Sequence, residues 1–175
     1  SRQIDATNVA QLEVAWTFRT GELEYLDDTR LKATSTFECT PLVTGGRMYL
    51  ITGSNRVFAL DARTGAQIWA YDPKIDPNLH YSETAARGVT FWASKDVGPD
   101  GARDERIYFG TLDGRLIGLD AATGSPVPGF GDAGSIDLRP EALPLEAIPR
   151  EQTAAWAEDT YQGRDVQVRE PRDFP

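Results

Sequence analysis

The chain is poor in the residues that most enzymes use for direct chemistry. One cysteine, one histidine and one methionine occur in 175 residues. A lone Cys39 excludes an intrachain disulfide, but it leaves the compartment open, because proteins of oxidising compartments also occur without disulfides. No Gly-rich phosphate loop, zinc-ligand spacing or Ser/His/Asp set is present. Apolar runs stop at about five residues, far short of a membrane span of ~20 residues. No signal peptide is visible, and the chain opens on "SRQIDATNV" without a methionine, which suggests a processed chain or an excised piece. Basic residues are also scarce: 18 Lys and Arg stand against 27 Asp and Glu, for a net charge of −9. No basic stripe exists to follow a phosphate backbone, so a nucleic-acid partner is excluded. The acidity reads as a solubility feature.

Turn residues are abundant. Sixteen Gly and eleven Pro accompany 40% apolar residues, a balance that suits short strands better than a helical bundle. "LEVAWTFRTG" (12–21) reads as a strand ending in a Thr-Gly turn. Residues 40–72 read as four short strands, with cores at Pro41–Val43, Arg47–Thr52, Arg56–Leu60 and Gln67–Tyr71. Thr44-Gly45-Gly46, Gly53-Ser54-Asn55 and Arg63-Thr64-Gly65 break them, supplying the positive φ that tight hairpins need. "VTFWASKD" (89–96), "RIYFGT" (106–111) and "GRLIGLD" (114–120) read as strands of a second unit. The acidic stretch "VGPDGARDE" reads as a solvated tip between the first two, and Asp96, Asp100, Asp104 and Glu105 lack metal-ligand spacing.

The two units are copies. At an offset of 59, Arg47, Tyr49, Thr52, Arg56, Leu60, Asp61, Ala62, Thr64 and Gly65 meet Arg106, Tyr108, Thr111, Arg115, Leu119, Asp120, Ala121, Thr123 and Gly124. Repeated four-stranded units predict a β-propeller. The offset exceeds one blade of ~40–50 residues, so the surplus falls in the loop 74–87. In each copy an Asp is expected to hold a turn whose glycine adopts a conformation other residues resist. Trp69 then follows, placed to wedge against the next blade. Pro128 stands at its repeat position, so contact there is expected to rest on Val127 and Phe130. "VAWTFRTGE" (14–22) forms a third, partial copy with Trp16.

"NVAQLEVAWTFRTGE", "FECTPLVTGGRMYLITGSNRVFALDARTGAQIWAYDPKID", "YSETAARGVTFW", "RIYFGTLDGRLIGLDAATG" and "PGFGDAGSIDL" resemble successive segments of the pyrroloquinoline quinone (PQQ)-dependent dehydrogenases. The likeness is greatest to the glucose dehydrogenase group and covers about residues 7–139. It implies the N-terminal part of an eight-bladed, periplasmic propeller that oxidises a sugar or alcohol and passes electrons to a quinone or cytochrome. The expected fold is all-β. It comprises about two four-stranded antiparallel blades plus a closing strand at Val14–Thr17, in a propeller part spanning 1–139. Residues 140–175 carry five prolines and are expected to be irregular, apart from a possible short helix in "PREQTAAWAED". Two blades cannot close a ring, so the remaining blades or a partner protein are expected to cover the open faces.

The same resemblance assigns cofactor contacts. Arg87 in "ARGV" matches the family arginine near PQQ, and its planar fork suits a carboxylate or quinone oxygen. Glu38 in "FECTPL" matches a family glutamate that contacts the cofactor, either by accepting from ring nitrogens or by orienting Arg87. Thr111 in "GTLDGRL" matches a threonine that bonds a PQQ carboxylate, although its repeat partner Thr52 shows that blade geometry alone could place it. Read without the resemblance, these are a surface ion pair, a strand cap and a β-branched strand residue. Thr84, Ala85 and Ala86 stand where alcohol-oxidising members carry two adjacent cysteines, which points to the sugar-oxidising type. His80 reads as an exposed loop residue and Cys39 as a small packing residue rather than a nucleophile. Calcium ligands and the catalytic base are expected outside this chain, which alone is expected to be inactive and to carry no catalytic or metal-binding residue. The alternative is a non-catalytic, propeller-derived scaffold or accessory subunit that docks on a larger assembly.

Overall fold

A computed structural model describes residues 4–27, 29–76, 81, 83–98 and 101–139. The possible helix in the C-terminal tail and the loop residue His80 lie outside the described residues. Residues 1–137 form one compact unit.

Eight strands build two sheets. The first holds β1 (Leu42–Thr44), β2 (Arg47–Ile51), β3 (Val57–Asp61) and β4 (Gln67–Tyr71) in sequential order. The second holds β5 (Thr90–Val97), β6 (Arg103–Gly110), β7 (Arg115–Asp120) and β8 (Ser135–Asp137), also sequential. Every neighbouring pair is antiparallel. The repeat is exact in register at its centre: Tyr49 opposes Ala59 as Tyr108 opposes Gly118. These are two propeller blades.

β3 is buried on both faces, so it reads as an unbroken apolar run rather than an alternation. Tyr49, Ile51, Val57, Ala59 and Trp69 of blade 1 pack against Ile107, Phe109, Ile117, Leu119 and Ala121 of blade 2. The opposite side of blade 1, formed by Leu50, Phe58 and Leu60, is covered by Trp16 and Phe18.

The corner after the third strand is the same object twice. Asp61 Oδ1 accepts from the Arg63 and Thr64 amides (2.9 and 2.8 Å) and the Thr64 hydroxyl (2.9 Å). Asp120 Oδ1 accepts from the Ala122 and Thr123 amides (3.1 and 2.7 Å) and the Thr123 hydroxyl (2.8 Å). Gly65 and Gly124 close the turns at φ +72° and +73°. A Cβ at Gly124 would lie 2.6 Å from Trp69, and one at Gly65 would lie 2.5 Å from Trp16. Each glycine therefore serves both the turn and an indole laid against it. Trp69 Nε1 and the Tyr49 hydroxyl both donate to the Ala121 carbonyl, at 3.2 and 3.0 Å.

Three details differ from the sequence-based expectations. Residues 12–20 hold no strand: Val14 is exposed, and the expected closing strand has no paired neighbour among the described residues. Trp16 nonetheless docks on Gly65, so docking does not need the ladder. The acidic tip is shorter than expected, because β6 begins at Arg103 and Arg106 pairs with Asp104. A helical turn, α1 (Glu22–Tyr25), and a 3-10 turn (Arg30–Thr34) follow the Thr-Gly turn that the sequence reading ended on.

Candidate cofactor-contacting site

Two non-adjacent segments, 34–40 and 84–87, meet just ahead of β1 and β5. Ser35 pairs in parallel with Thr84. The Thr84 amide donates to the Thr34 carbonyl (3.1 Å), and the Thr36 amide donates to the Thr84 carbonyl (3.0 Å). The two hydroxyls of Thr34 and Thr84 lie 2.8 Å apart, with Thr84 fully buried. Further on, the Thr40 amide donates to the Arg87 carbonyl at 2.8 Å. This pairing holds residues 34–40 beside 84–87 and sets Glu38 against Arg87.

Arg87 Nη1 lies 3.0 Å from Glu38 Oε2. The Glu38 side chain is 29% exposed and that of Arg87 is 84% exposed. Glu38 Oε1 accepts from the Thr36 hydroxyl at 3.3 Å. Glu38 Oε2 is itself shielded from solvent, yet no aligned hydrogen bond reaches it. The contact to Arg87 is thus close in charge but off-axis as a hydrogen bond. A pair with one partner this exposed contributes at most about 1 kcal/mol to stability. Chemically, the pair offers a fork of donors facing outward, tethered by a carboxylate that has acceptor capacity to spare.

Thr111 sits apart, in the turn between β6 and β7. Its hydroxyl donates to the Asp113 carboxylate and accepts from the Arg115 amide (3.0 Å). Thr52 does the equivalent work in blade 1, accepting from the Arg56 amide at 3.2 Å. The Thr111 hydroxyl is therefore engaged by its own turn, and the structure shows it in no contact with Glu38 or Arg87 among the described residues. Cys39 is partly buried; its Sγ accepts from the Ile51 amide at 3.3 Å, and burial pushes its thiol up from the ordinary value. That keeps it in the unreactive thiol form at neutral pH.

One charged contact escaped the sequence reading. Glu22 Oε1 accepts from the Ser54 amide (2.7 Å) while Oε2 faces Arg56 Nη1 at 3.6 Å. Arg56 lies 4.4 Å over the Tyr25 ring. It ties α1 to the blade 1 turn. No local signal predicts it, because the partners are separated by more than thirty residues. No group of three or more His, Cys, Asp or Glu side chains converges among the described residues.

Residues 1–160 match the model of the PQQ "Glucose/ethanol/alcohol dehydrogenase, beta-propeller domain" family. The chain belongs to the PQQ-dependent dehydrogenase family. It is 36% identical over 142 residues to the quinoprotein glucose dehydrogenase of Escherichia coli (strain K12), covering 79% of this chain and 18% of that protein. It is 38% identical over 128 residues to the quinohemoprotein alcohol dehydrogenase of Comamonas testosteroni, covering 71% and 15%. The crystal structure of the quinohemoprotein alcohol dehydrogenase from Comamonas testosteroni superposes with a TM-score of 0.52 at 34% identity, covering 78% of this chain and 17% of that one. The chain thus spans less than a fifth of the length of these PQQ-dependent relatives. None of its described helices is long and apolar enough to cross a membrane.

Proposed function

We propose that this chain forms the first blades of a PQQ-dependent dehydrogenase and supplies one wall of the cofactor site through Glu38 and Arg87, with Thr111 as a further contact. The observation that carries the reading is the Glu38–Arg87 pair. A guanidinium that is 84% exposed, held by a shielded carboxylate with an oxygen still lacking an aligned donor, suits an anionic, planar ligand. PQQ fits that donor set: it bears three carboxylates and an ortho-quinone, and when bound it supplies two-electron oxidation of a sugar or alcohol. Arg87 would orient a carboxylate or quinone oxygen and favour negative charge there. Glu38 would hold the guanidinium in place and accept from a ring nitrogen. Thr111 would have to release Asp113 before donating outward, which makes it the weakest of the three contacts.

Calcium and the catalytic base come, in this reading, from parts of the enzyme outside this chain. Electrons pass to a quinone or cytochrome in the periplasm. Further blades cover the free side of blade 2, where Tyr108 repeats the placement of Tyr49. A substrate of the sugar type is favoured by Thr84, Ala85 and Ala86, which leave no pair of adjacent thiols ahead of Arg87.

The test is a titration of PQQ with calcium, followed by tryptophan fluorescence, in the complete polypeptide that carries this chain. Losing a charged hydrogen bond costs ~1.5–3 kcal/mol, so Arg87→Gln should weaken binding ~10- to 100-fold. Unchanged affinity in Arg87→Gln overturns the reading. The 175-residue chain alone, given PQQ and calcium, should show no turnover.

A further inference from the structure

We infer that Gly53 is a positioning residue for the Glu38–Arg87 pair, acting through the Ser35–Thr84 bridge. The inference rests on the reading of that pair as a cofactor contact. A Cβ at Gly53 would lie 2.4 Å from the Thr84 carbonyl oxygen, 2.8 Å from Ser35 Oγ and 3.1 Å from the Thr36 carbonyl oxygen. The parallel pairing of residues 34–36 with Thr84 therefore rests directly on the bare backbone of Gly53. Two of the three obstructing atoms are backbone oxygens, which cannot swing aside as a flexible side chain can.

The repeat separates this cause from turn chemistry. Gly53 lies in the turn between β2 and β3, and its repeat position in the turn between β6 and β7 is Leu112. The two turns share their hydrogen bonds. The Thr52 amide donates to the Arg56 carbonyl (2.9 Å) as Thr111 does to Arg115 (2.8 Å), and Asn55 donates to Thr52 (2.9 Å) as Gly114 does to Thr111 (3.0 Å). The left-handed position of the turn falls to Asn55 (φ 64°) and Gly114 (φ 80°), not to Gly53. A leucine sits in the same turn position in blade 2 and packs near Leu26, Leu31 and Ile75. The turn itself thus accepts a large side chain. What demands glycine at 53 is the strand pair laid across it.

Thr84 is three residues before Arg87, and Ser35 is three before Glu38. A methyl group at 53 must lift the bridge, and the lift passes along both segments to a pair whose closest atoms are 3.0 Å apart. Ligand contacts of this kind respond to displacements of ~1 Å or less.

The experiment uses the complete polypeptide and compares wild type, Gly53→Ala, Arg87→Gln and the core variant Ile117→Val. Two quantities are read: amide exchange at Thr36 and Thr84 without cofactor, and affinity for PQQ with calcium. In Gly53→Ala, both amides should exchange about tenfold faster, and PQQ affinity should fall about tenfold. Ile117→Val, which loosens the blade core away from the bridge, should leave both within about twofold. Wild-type exchange in Gly53→Ala overturns the inference, as does faster exchange with unchanged PQQ affinity while Arg87→Gln still loses affinity. Full affinity in Arg87→Gln instead overturns the cofactor reading, and this inference falls with it.

Discussion

The two blades leave the same corner and then part. In blade 1, β4 resumes directly after Gly65, and Trp69 lies opposite Ala59 with its ring 5.9 Å from that of Tyr49. In blade 2, Pro128 cannot donate to a ladder, and the chain loops until β8 at Ser135. Phe130 fills the vacated place. Its ring is 5.0 Å from Tyr108, and a Cβ at Gly118 would sit 2.9 Å from it. Gly118 stands where blade 1 has Ala59, and that lost methyl makes room for a ring arriving from a different backbone path. Corner and docking aromatic are therefore separable: the Asp-x-x-Thr-Gly turn keeps its hydrogen bonds whichever aromatic follows. The indole, unlike the phenyl ring, also brings a donor, which blade 1 spends on the Ala121 carbonyl.

The comparison can be broken most sharply at the aromatics. Trp69→Ala should cost ~4 kcal/mol in a urea melt, because it opens a cavity between the blades and strips Gly124 of its cover. Phe130→Ala, at a partly buried site against Tyr108 and Gly118, should cost ~2 kcal/mol or less. Equal losses would mean that Trp69 does no interblade work. Next in size, Gly124→Ala combines an unfavourable φ with overlap on the indole and should cost ~3 kcal/mol. Gly129→Ala, with open space around it and no positive φ, should stay within ~0.5 kcal/mol.

Smaller effects sharpen the picture. Tyr49→Phe removes one of two donors to Ala121 and should cost ~1 kcal/mol, with Trp69→Phe coupled to it in a double-mutant cycle because they share one acceptor. The smallest effect is in acid. Hydrogen bonds from the Thr64 amide and hydroxyl, then the Arg63 amide, hold Asp61 below the ordinary carboxylate range. A depressed folded value contributes stability above the unfolded pKa of ~3.9, and that contribution fades as pH falls through the folded value. Asp61→Asn should therefore flatten the stability profile below about pH 4.

Much of this was legible in the sequence because it is local. Asp61 to Gly65 and Asp120 to Gly124 announce their turns through residue types within five positions, and two aligned copies reinforce each other. β4 matches its expected span, Gln67–Tyr71, for the same reason. The closing strand at Val14–Thr17 failed because extended residues become a strand only with a neighbour to pair with. The Ser35–Thr84 bridge and the Glu22–Arg56 contact escaped because they join distant segments. Gly53 reads in the sequence as part of a turn break with Ser54 and Asn55; the structure gives the positive φ to Asn55 instead, and only the match of Gly53 to Leu112 across the repeat hinted at another demand for glycine. Glu38 and Arg87 were nominated by resemblance alone, and the structure adds their 3.0 Å contact.

A structure of the complete polypeptide soaked with PQQ and calcium tests the central claim most directly. The account predicts a carboxylate or quinone oxygen of PQQ within hydrogen-bond reach of the Arg87 guanidinium, with Glu38 still beside it. PQQ seated elsewhere, with Arg87 left pointing into solvent, would contradict it.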